Sequence, residues 1–192
     1  MSTLRFALKE WAVICRALAE GRQTILLRKG GVAEKTGAFE VEQERFWLYP
    51  TYVHQQGAGV VEEALPLLKA VEAERPPAGV VRLSHFAEVA GVFHLHDIVG
   101  ALRLDGLHLW SRETVLSRFE YRVPGLFALV VRVYRAARPT ELPETAEYAG
   151  CRSWVDLGRD LPTDGATPVL EDRLFYEVLH EMERRLEPRA WV

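Results

Sequence analysis

The sequence predicts an α+β fold, because apolar, branched runs alternate with segments of helical spacing. Leu126–Tyr134 is almost continuously apolar and β-branched, which is typical of a central strand buried on both faces. Two other segments, near the start and at the end of the chain, repeat apolar residues at helical intervals. These residues are Ala7, Trp11, Ile14 and Leu18 in the first segment, and Leu174, Phe175, Val178, Leu179, Met182 and Leu186 in the second. The second set forms a wide apolar stripe, so it predicts an amphipathic C-terminal helix.

The composition is that of a globular protein. Hydrophobic residues make up 48% and charged residues 27% of the 192 residues, which indicates neither disorder nor a coiled coil. The net charge of −3 argues against a protein that coats nucleic acid over its whole surface, although a local basic site stays open. Two cysteines are too few for a disulfide framework, and we find no signal-like segment and no apolar run of about 20 residues. We therefore expect a cytoplasmic protein that does not enter a membrane.

The first part of the chain is predicted to hold two helices and two strands. Gly21 ends the first helix, and Gln23–Leu27 has the composition of a strand. The run Gly30–Phe39, with glycines and mixed charge, is predicted to be a loop. Phe46–Pro50 is an aromatic strand closed by a proline, and a second helix begins near Pro66.

The second part follows Glu74–Gly79, the clearest linker in the chain. The predicted elements begin with a long strand or hairpin, Val80–Leu95, and two short helices, Asp97–Leu104 and Ser111–Tyr121. The central strand follows, and then a connection, Pro139–Pro143, and a strand or turn, Cys151–Val155. The last element is a terminal helix capped by Thr167, with Pro168 in its first position. The linker divides the chain into halves 1–75 and 79–192. A single domain spanning 1–192 is the alternative.

A candidate anion site lies where the first predicted strand ends. Arg28 and Lys29 are followed directly by Gly30 and Gly31. Glycines let the backbone approach a phosphate closely, and the two cations complete such a nest. The segment lacks the pattern of a Walker phosphate loop. The alternative is a solvated turn after a strand.

An acidic cluster precedes the aromatic strand. Glu40, Glu42 and Glu44 alternate, so they share one side of an extended chain, where like charges repel unless a cation lies among them. With Lys29 they could form the site of a magnesium- or manganese-dependent phosphodiesterase. The alternative is a solvated acidic edge that discourages aggregation between strands. We expect no cofactor, and magnesium or manganese is the alternative.

His94 and His96 form a second possible metal site. Residues two apart on a strand share a face, so both rings could reach one zinc ion, with Asp97 adding an oxygen. A hydrogen-bonded structural pair is the alternative.

Most of the chain resembles a bacterial family known only as a domain of unknown function, number 1802. The resemblance rests on the stretches Lys9–Val13, Leu27–Gly31, Arg45–Thr51 with His54 and Gln55, and Tyr148–Val155.

The first quarter is similar to the ASCH branch of the PUA-like fold, whose opening helix is followed by the pattern G-x-K-T-x-E-x-R. Gly21, Thr24 and Arg28 match this pattern, whereas Gln23 and Leu26 replace its lysine and glutamate. The resemblance implies a PUA-like mixed β-barrel or open sheet with flanking helices, in a group of proteins that bind or process RNA and nucleosides. It also implies a ligand cleft near Arg28.

These observations together predict a protein that binds a nucleotide or a structured nucleic acid, RNA or DNA, in a basic and aromatic cleft. Cations would face phosphates, and aromatic rings would stack on bases. The assigned residues are Arg28, Lys29, Gly30, Gly31 and Arg45 for phosphates, Tyr49 and Tyr52 for stacking, and Thr51, His54 and Gln55 for hydrogen bonds. Phe46 and Trp47 are further stacking candidates, with core packing as the alternative. If the protein is an enzyme, His54 is the expected general acid or base.

Two other functions stay open at the level of sequence. One is the metal-dependent nuclease built on the acidic cluster and Lys29. The other is a non-enzymatic interaction module that binds a partner through the amphipathic helix Leu174–Leu186. The oligomeric state does not follow from the sequence.

Overall fold

A computed structural model of the chain describes residues 2–29, 41–148 and 152–186. Its strands are β1 (Thr3–Trp11), β2 (Ile25–Arg28), β3 (Arg45–Thr51), β4 (Val80–Leu95), β5 (Leu126–Pro143), β6 (Trp154–Pro162) and β7 (Thr167–Pro168). Its helices are α1 (Ala12–Ala19), α2 (Leu65–Ala73), α3 (Ile98–Leu102), α4 (Arg112–Glu120) and α5 (Asp172–Leu186). The predicted α+β class is therefore confirmed.

The strands form one mixed sheet in the order β2–β5–β4–β3–β1–β6, with β7 paired to β5. β1 and β3 run parallel, and the other described pairs are antiparallel. The order has two ends, β2 and β6, so the described sheet is open. The sheet combines strands from both sides of Pro76 and Pro77. β2 and β3 precede these prolines, and they pair with β5 and β4, which follow them. The division into halves 1–75 and 79–192 stays a prediction.

The sheet curls enough to bring β2 back to β1. Arg28, at the end of β2, donates a hydrogen bond of 3.0 Å to the carbonyl oxygen of Lys9 in β1. β5, β4 and β3 lie between these two strands in the sheet order. β4 has register irregularities near His85 and Gly91, and such bulges bend a strand and increase its twist. The curl places the ends of β1 and β2 side by side.

Two hydrophobic clusters contain the buried side chains of the sheet. Adjacent residues of β3 enter different clusters, because side chains alternate along a strand. Phe46 and Leu48 pack in the cluster that includes residues of all five helices. Trp47 and Tyr49 pack in the other, with Phe86. β3 is therefore buried on both faces.

The start of the chain differs from the prediction. Ala7 and Trp11 belong to strand β1, and helix α1 begins only at Ala12. β1 pairs with β3 on one side and β6 on the other, and burial of both faces removes the alternation by which a strand is recognised. The predicted stop is confirmed. Gly21 has a φ of 68°, and the amides of Gly21 and Arg22 close a Schellman motif on α1.

Prolines account for two further differences in the second part of the chain. The predicted connection from Pro139 is part of β5, whose pairing with β4 stops at Arg135 and resumes at Thr140. Pro139 thus lies in a bulge, where it does not interrupt a ladder hydrogen bond. Pro168 does not open the terminal helix but pairs with β5 as part of β7, and α5 begins at Asp172.

Several predicted elements are confirmed. Val80–Leu95 is one continuous strand, and α2 begins beside Pro66. Ser111 caps α4, since its Oγ accepts a hydrogen bond of 3.2 Å from the Thr114 amide. Pro50 is tolerated in β3 because pairing with β4 ends three residues earlier. Within the described ranges, no helix is long and apolar enough to cross a membrane.

Candidate functional site

The guanidinium of Arg28 contacts other residues inside the fold. Its Nη1 lies 3.1 Å from Glu10 Oε2, and the two side chains are only 12% and 3% exposed. The same nitrogen bonds the Lys9 carbonyl, so this guanidinium joins β2 to β1. It is directed toward an internal carboxylate, whereas the sequence assigned it to a phosphate.

Lys29 also has internal partners. Its Nζ donates to the carbonyl oxygens of Phe119 at 3.0 Å and Gly125 at 2.7 Å, and to that of Val123. Burial lowers the pKa of Lys29 from its ordinary value. The lysine thereby fastens β2 to the segment that follows α4. The two glycines after it, at positions 30 and 31, lie outside the described residues.

Glu10 and Arg118 complete a charge cluster that the sequence analysis missed. Arg118, on α4, donates to the Leu27 carbonyl at 3.3 Å, and its guanidinium lies 5.2 Å from the Trp11 ring and 5.1 Å from the Trp110 ring. Burial lowers the pKa of Arg118, while Glu10 opposes that shift. The available signal was a glutamate directly before Trp11 and the apolar run that opens α1.

The aromatic residues assigned to stacking divide into core and surface. Tyr49 is buried, its hydroxyl bonds Glu144 Oε1 at 3.0 Å, and burial followed by this contact raises its pKa far above the ordinary value. Trp47 is fully buried. Tyr52 is partly exposed, with the guanidinium of Arg75 at 4.5 Å from its ring centre. Tyr52 is thus the accessible ring of this group.

The remaining assigned residues lie apart from one another. Arg45 begins β3, pairs with Glu88 at 3.7 Å and lies over the Phe86 ring, at the opposite end of the strand from Thr51. Thr51 Oγ1 accepts a bond from the Val53 amide within the turn.

His54 and Gln55 follow in the same turn. His54 is exposed with a φ of 62°. Gln55 is held between helices, since its Oε1 accepts from the Val13 amide at 2.8 Å and its Nε2 donates to Glu72 at 2.7 Å. Gln55 therefore accepts a hydrogen bond from a backbone amide in the first turn of α1.

Two of the possible metal ligands lie close together, but no third described ligand joins them. Glu42 and Glu44 are exposed, and Glu40 lies outside the described residues. His94 and His96 have ring centres 3.8 Å apart, and His94 stacks on Phe127. Asp97 instead caps α3 through a 2.7 Å bond from the Gly100 amide. Across the described parts of the chain, no group of three or more His, Cys, Asp and Glu could hold a metal ion.

The structure instead contains a cavity of about 580 Å³ between α1, α2 and the strands β3, β4 and β5. Its size lies within the range of about 300–1,000 Å³ that is usual for small-molecule sites. Small and apolar side chains form much of its wall, and the polar groups that line it are Arg16, Glu20, Tyr52, Glu74, Arg82, Ser84, His85 and Arg135.

Ser84 and His85 both face this cavity although they are neighbours in β4. Neighbouring strand residues normally point to opposite faces, but the register is irregular here, so both side chains reach the same space. Ser84 Oγ lies 2.9 Å from His85 Nδ1. His85 Nε2 is buried and has no hydrogen-bond partner in the described structure. It is therefore a buried polar atom beside the cavity that the described residues leave without a bond.

The three arginines that line the cavity differ in whether they form ion pairs with other described residues. Arg16 bonds Glu20 and Glu74 at 2.6 and 2.8 Å, and Arg82 bonds Glu141 at 2.7 Å. Arg135 is exposed, and its guanidinium makes no hydrogen bond or ion pair with another described residue. Within the described parts of the chain, this positive charge of the cavity has no fixed counterion.

A second, smaller cavity of about 80 Å³ adjoins the first. The two share Pro50, Tyr52, Pro76 and Arg82 in their linings. The smaller one adds Thr51, Arg75, Glu144 and residues of the segment before β4. We call the larger space the main cavity and the smaller one the side groove.

Comparison with known proteins adds the family. The family described as "Domain of unknown function (DUF1802)" matches residues 7–181. The chain belongs to this family. The match confirms the first resemblance noted in the sequence.

Solved structures similar to this DUF1802 protein come from an ASCH protein of Zymomonas mobilis. One aligns at 14% identity over 91% of this chain and 93% of that chain, with a TM-score of 0.46. A Tyr-to-Phe variant of the same protein aligns at 12% identity over 91% and 96%, with a TM-score of 0.45. A search of the curated proteins found no match.

The DUF1802 protein should lose stability as the pH falls from about 6.5 to about 4, because His85 cannot accept a proton easily in the fold. Burial, followed by the charges of Arg135 and Arg16, lowers the pKa of His85 to about 4. The unfolded chain binds that proton near pH 6.5, so acid favours unfolding, by at most about 3 kcal/mol from this residue. His108, also buried, has its pKa lowered and acts in the same direction.

Urea unfolding at pH 7.0 and 4.5 checks this expectation with the variant His85→Gln. Glutamine does not titrate, so the fall in the free energy of unfolding between the two pH values should be smaller than in the natural chain. The same fall in both proteins would show that His85 does not contribute to the pH dependence.

Proposed function

We propose that the protein binds a nucleotide, free or within an RNA or DNA strand, in the main cavity. The observation that carries this proposal is a space of about 580 Å³ that combines three arginines with the unpartnered Nε2 of His85. Pockets of this kind bind small molecules through an apolar wall and a few convergent polar groups. The main cavity has this composition.

The charges favour an anionic group. Arg135 has no counterion among the described residues, so a phosphate would supply one. Arg16 and Arg82 pair with glutamates on the surface, and exposed pairs of this kind contribute only about 0–1 kcal/mol. Their guanidiniums can therefore turn toward a phosphate at little cost, and bidentate contact with phosphate is a strong interaction for arginine.

The shape and polar groups favour a flat ring beside the phosphate. Ala12, Ala19 and Ala136 line the space and leave room for a planar group. Tyr52 offers an aromatic surface, and His85 Nε2 can bond a base edge or a sugar hydroxyl. Ser84 fixes the orientation of the imidazole through its 2.9 Å contact with Nδ1.

We propose binding rather than catalysis at this site. With its pKa near 4, His85 is neutral at pH 7 and a weak base. Tyr52 is the residue that this proposal shares with the sequence-based assignment. The roles assigned to Arg28, Lys29 and His54 stay predictions, as does a cytoplasmic location.

Replacing Arg135 by glutamine should weaken nucleotide binding about tenfold or more. A charge-assisted contact with phosphate contributes about 1.5–3 kcal/mol, and each 1.4 kcal/mol changes the dissociation constant tenfold. Isothermal titration with the 5′-monophosphates of adenosine, guanosine, cytidine and uridine measures the effect at two salt concentrations.

Arg138→Gln is the matched control, because this arginine is three residues along the same strand and does not line the main cavity. Its affinity should stay within about twofold of the natural chain. Equal losses in both variants would indicate a general charge effect, and the absence of binding by every nucleotide would overturn the proposed function.

A further inference from the structure

The side groove gives the ligand of the main cavity a second point of contact. The two spaces meet at Tyr52 and Arg82, which line both. A group that occupied the side groove would therefore be continuous with a ligand in the main cavity. This inference rests on the proposed function, and it defines the class of nucleotide.

The size of the side groove restricts what can enter it. A space of about 80 Å³ is far smaller than the main cavity of about 580 Å³. A second base would not fit in that volume, whereas one phosphate group would. The side groove thus suits a compact substituent of the first nucleotide.

The charges around the side groove favour a phosphate there. Arg75 and Arg82 both line it, opposed by the single carboxylate of Glu144. Glu144 Oε1 accepts the hydrogen bond of the buried Tyr49 hydroxyl, so that carboxylate is turned partly into the protein. Arg75 is exposed, and it makes no ion pair with another described residue.

Arg75 and Tyr52 hold each other in place. The guanidinium lies 4.5 Å from the centre of the Tyr52 ring, a cation–π contact. The arginine therefore lies beside the ring that separates the two spaces, with nitrogens free to donate to an oxyanion. Thr51, also in the lining, adds a hydroxyl.

We infer that the ligand is a nucleoside that carries phosphates on both its 5′ and its 3′ side, one in the main cavity near Arg135 and Arg16 and one in the side groove near Arg75 and Arg82. Two sources share this chemistry. One is an internal nucleotide of a strand, and the other is a free nucleoside 3′,5′-bisphosphate.

The test compares adenosine 5′-monophosphate, adenosine 3′-monophosphate, adenosine 3′,5′-bisphosphate and the trinucleotide ApApA by isothermal titration. The bisphosphate should bind at least tenfold more tightly than either monophosphate. Its affinity should also fall more steeply with salt, because screening weakens one more contact between an arginine and a phosphate. Equal affinity for the bisphosphate and the monophosphates would overturn the inference while leaving the proposed function standing.

The variant Arg75→Gln locates the second phosphate. It should remove the advantage of the bisphosphate and leave the affinity for the tighter-binding monophosphate within about threefold. Arg159→Gln, an exposed arginine of β6 that lines neither space, is the control and should keep the full advantage. An advantage that survives Arg75→Gln would overturn the assignment to the side groove.

ApApA distinguishes the two sources. Binding at least as tight as that of the bisphosphate supports a strand, and much weaker binding supports a free bisphosphate. If none of the four compounds binds, and the other three 5′-monophosphates do not bind either, the proposed function itself fails.

Discussion

Replacing Glu10 by alanine should lower the free energy of unfolding by about 3–5 kcal/mol. Glu10 is 3% exposed, and its carboxylate is the acidic partner of Arg28. It is also close enough to Arg118 to oppose the lowering of that arginine's pKa by burial. Without it, two partly buried guanidiniums face each other and lose their shared counterion. Urea denaturation at pH 7 measures the change, with the m value expected to stay constant.

The pair between Arg5 and Asp156 is the matched control, because its geometry is as good but its side chains are exposed. The two atoms are 2.7 Å apart, and the side chains are 48% and 47% exposed. Asp156→Ala should therefore lower the free energy of unfolding far less than Glu10→Ala does. If Glu10→Ala lowers the free energy of unfolding no more than Asp156→Ala does, the internal ion pair of Arg28 does not stabilise the fold. That result would favour the sequence-based assignment of Arg28 to an external phosphate.

Local signals in the sequence predicted much of the fold. A serine cap, a proline in a first helical turn and a continuous apolar run each act on the structure within a few residues. The serine predicted the start of α4, the proline the start of α2, and the apolar run the start of β5. β1 could not be predicted in this way. Its identity as a strand depends on β3 and β6, which pair with it from far along the chain and bury both of its faces.

The site was less predictable than the fold, for the same reason. The main cavity takes Arg16 from α1, His85 from β4 and Arg135 from β5, and no spacing in the sequence brings these elements together. The local pattern around Arg28 did indicate a cation at a strand end. Its counterion, Glu10, comes from a strand that the sequence assigned to a helix, so the pair could not be recognised.

Trp47→Ala should also lower the free energy of unfolding by about 3–5 kcal/mol, as is usual for a large aromatic removed from a core. The ring is fully buried, meets Phe86 edge to face with centres 5.6 Å apart, and donates from Nε1 to the Leu4 carbonyl at 3.2 Å. The substitution would leave a cavity between β3 and β4 and an unpaired carbonyl. Thermal and urea unfolding measure the loss.

Tyr52→Ala provides the opposite case within the same aromatic segment. Tyr52 is partly exposed, and its removal would lose mainly the contact with Arg75, so the substitution should cost about 1 kcal/mol or less in stability. Stacking of a base on an aromatic ring contributes about 1–3 kcal/mol, so nucleotide binding should weaken between about 5-fold and 150-fold. Trp47→Ala, studied where it is still folded, should bind nucleotide nearly as well as the natural chain. The reverse pattern, with binding lost in folded Trp47→Ala and kept in Tyr52→Ala, would move the stacking surface from the main cavity to the core strand β3.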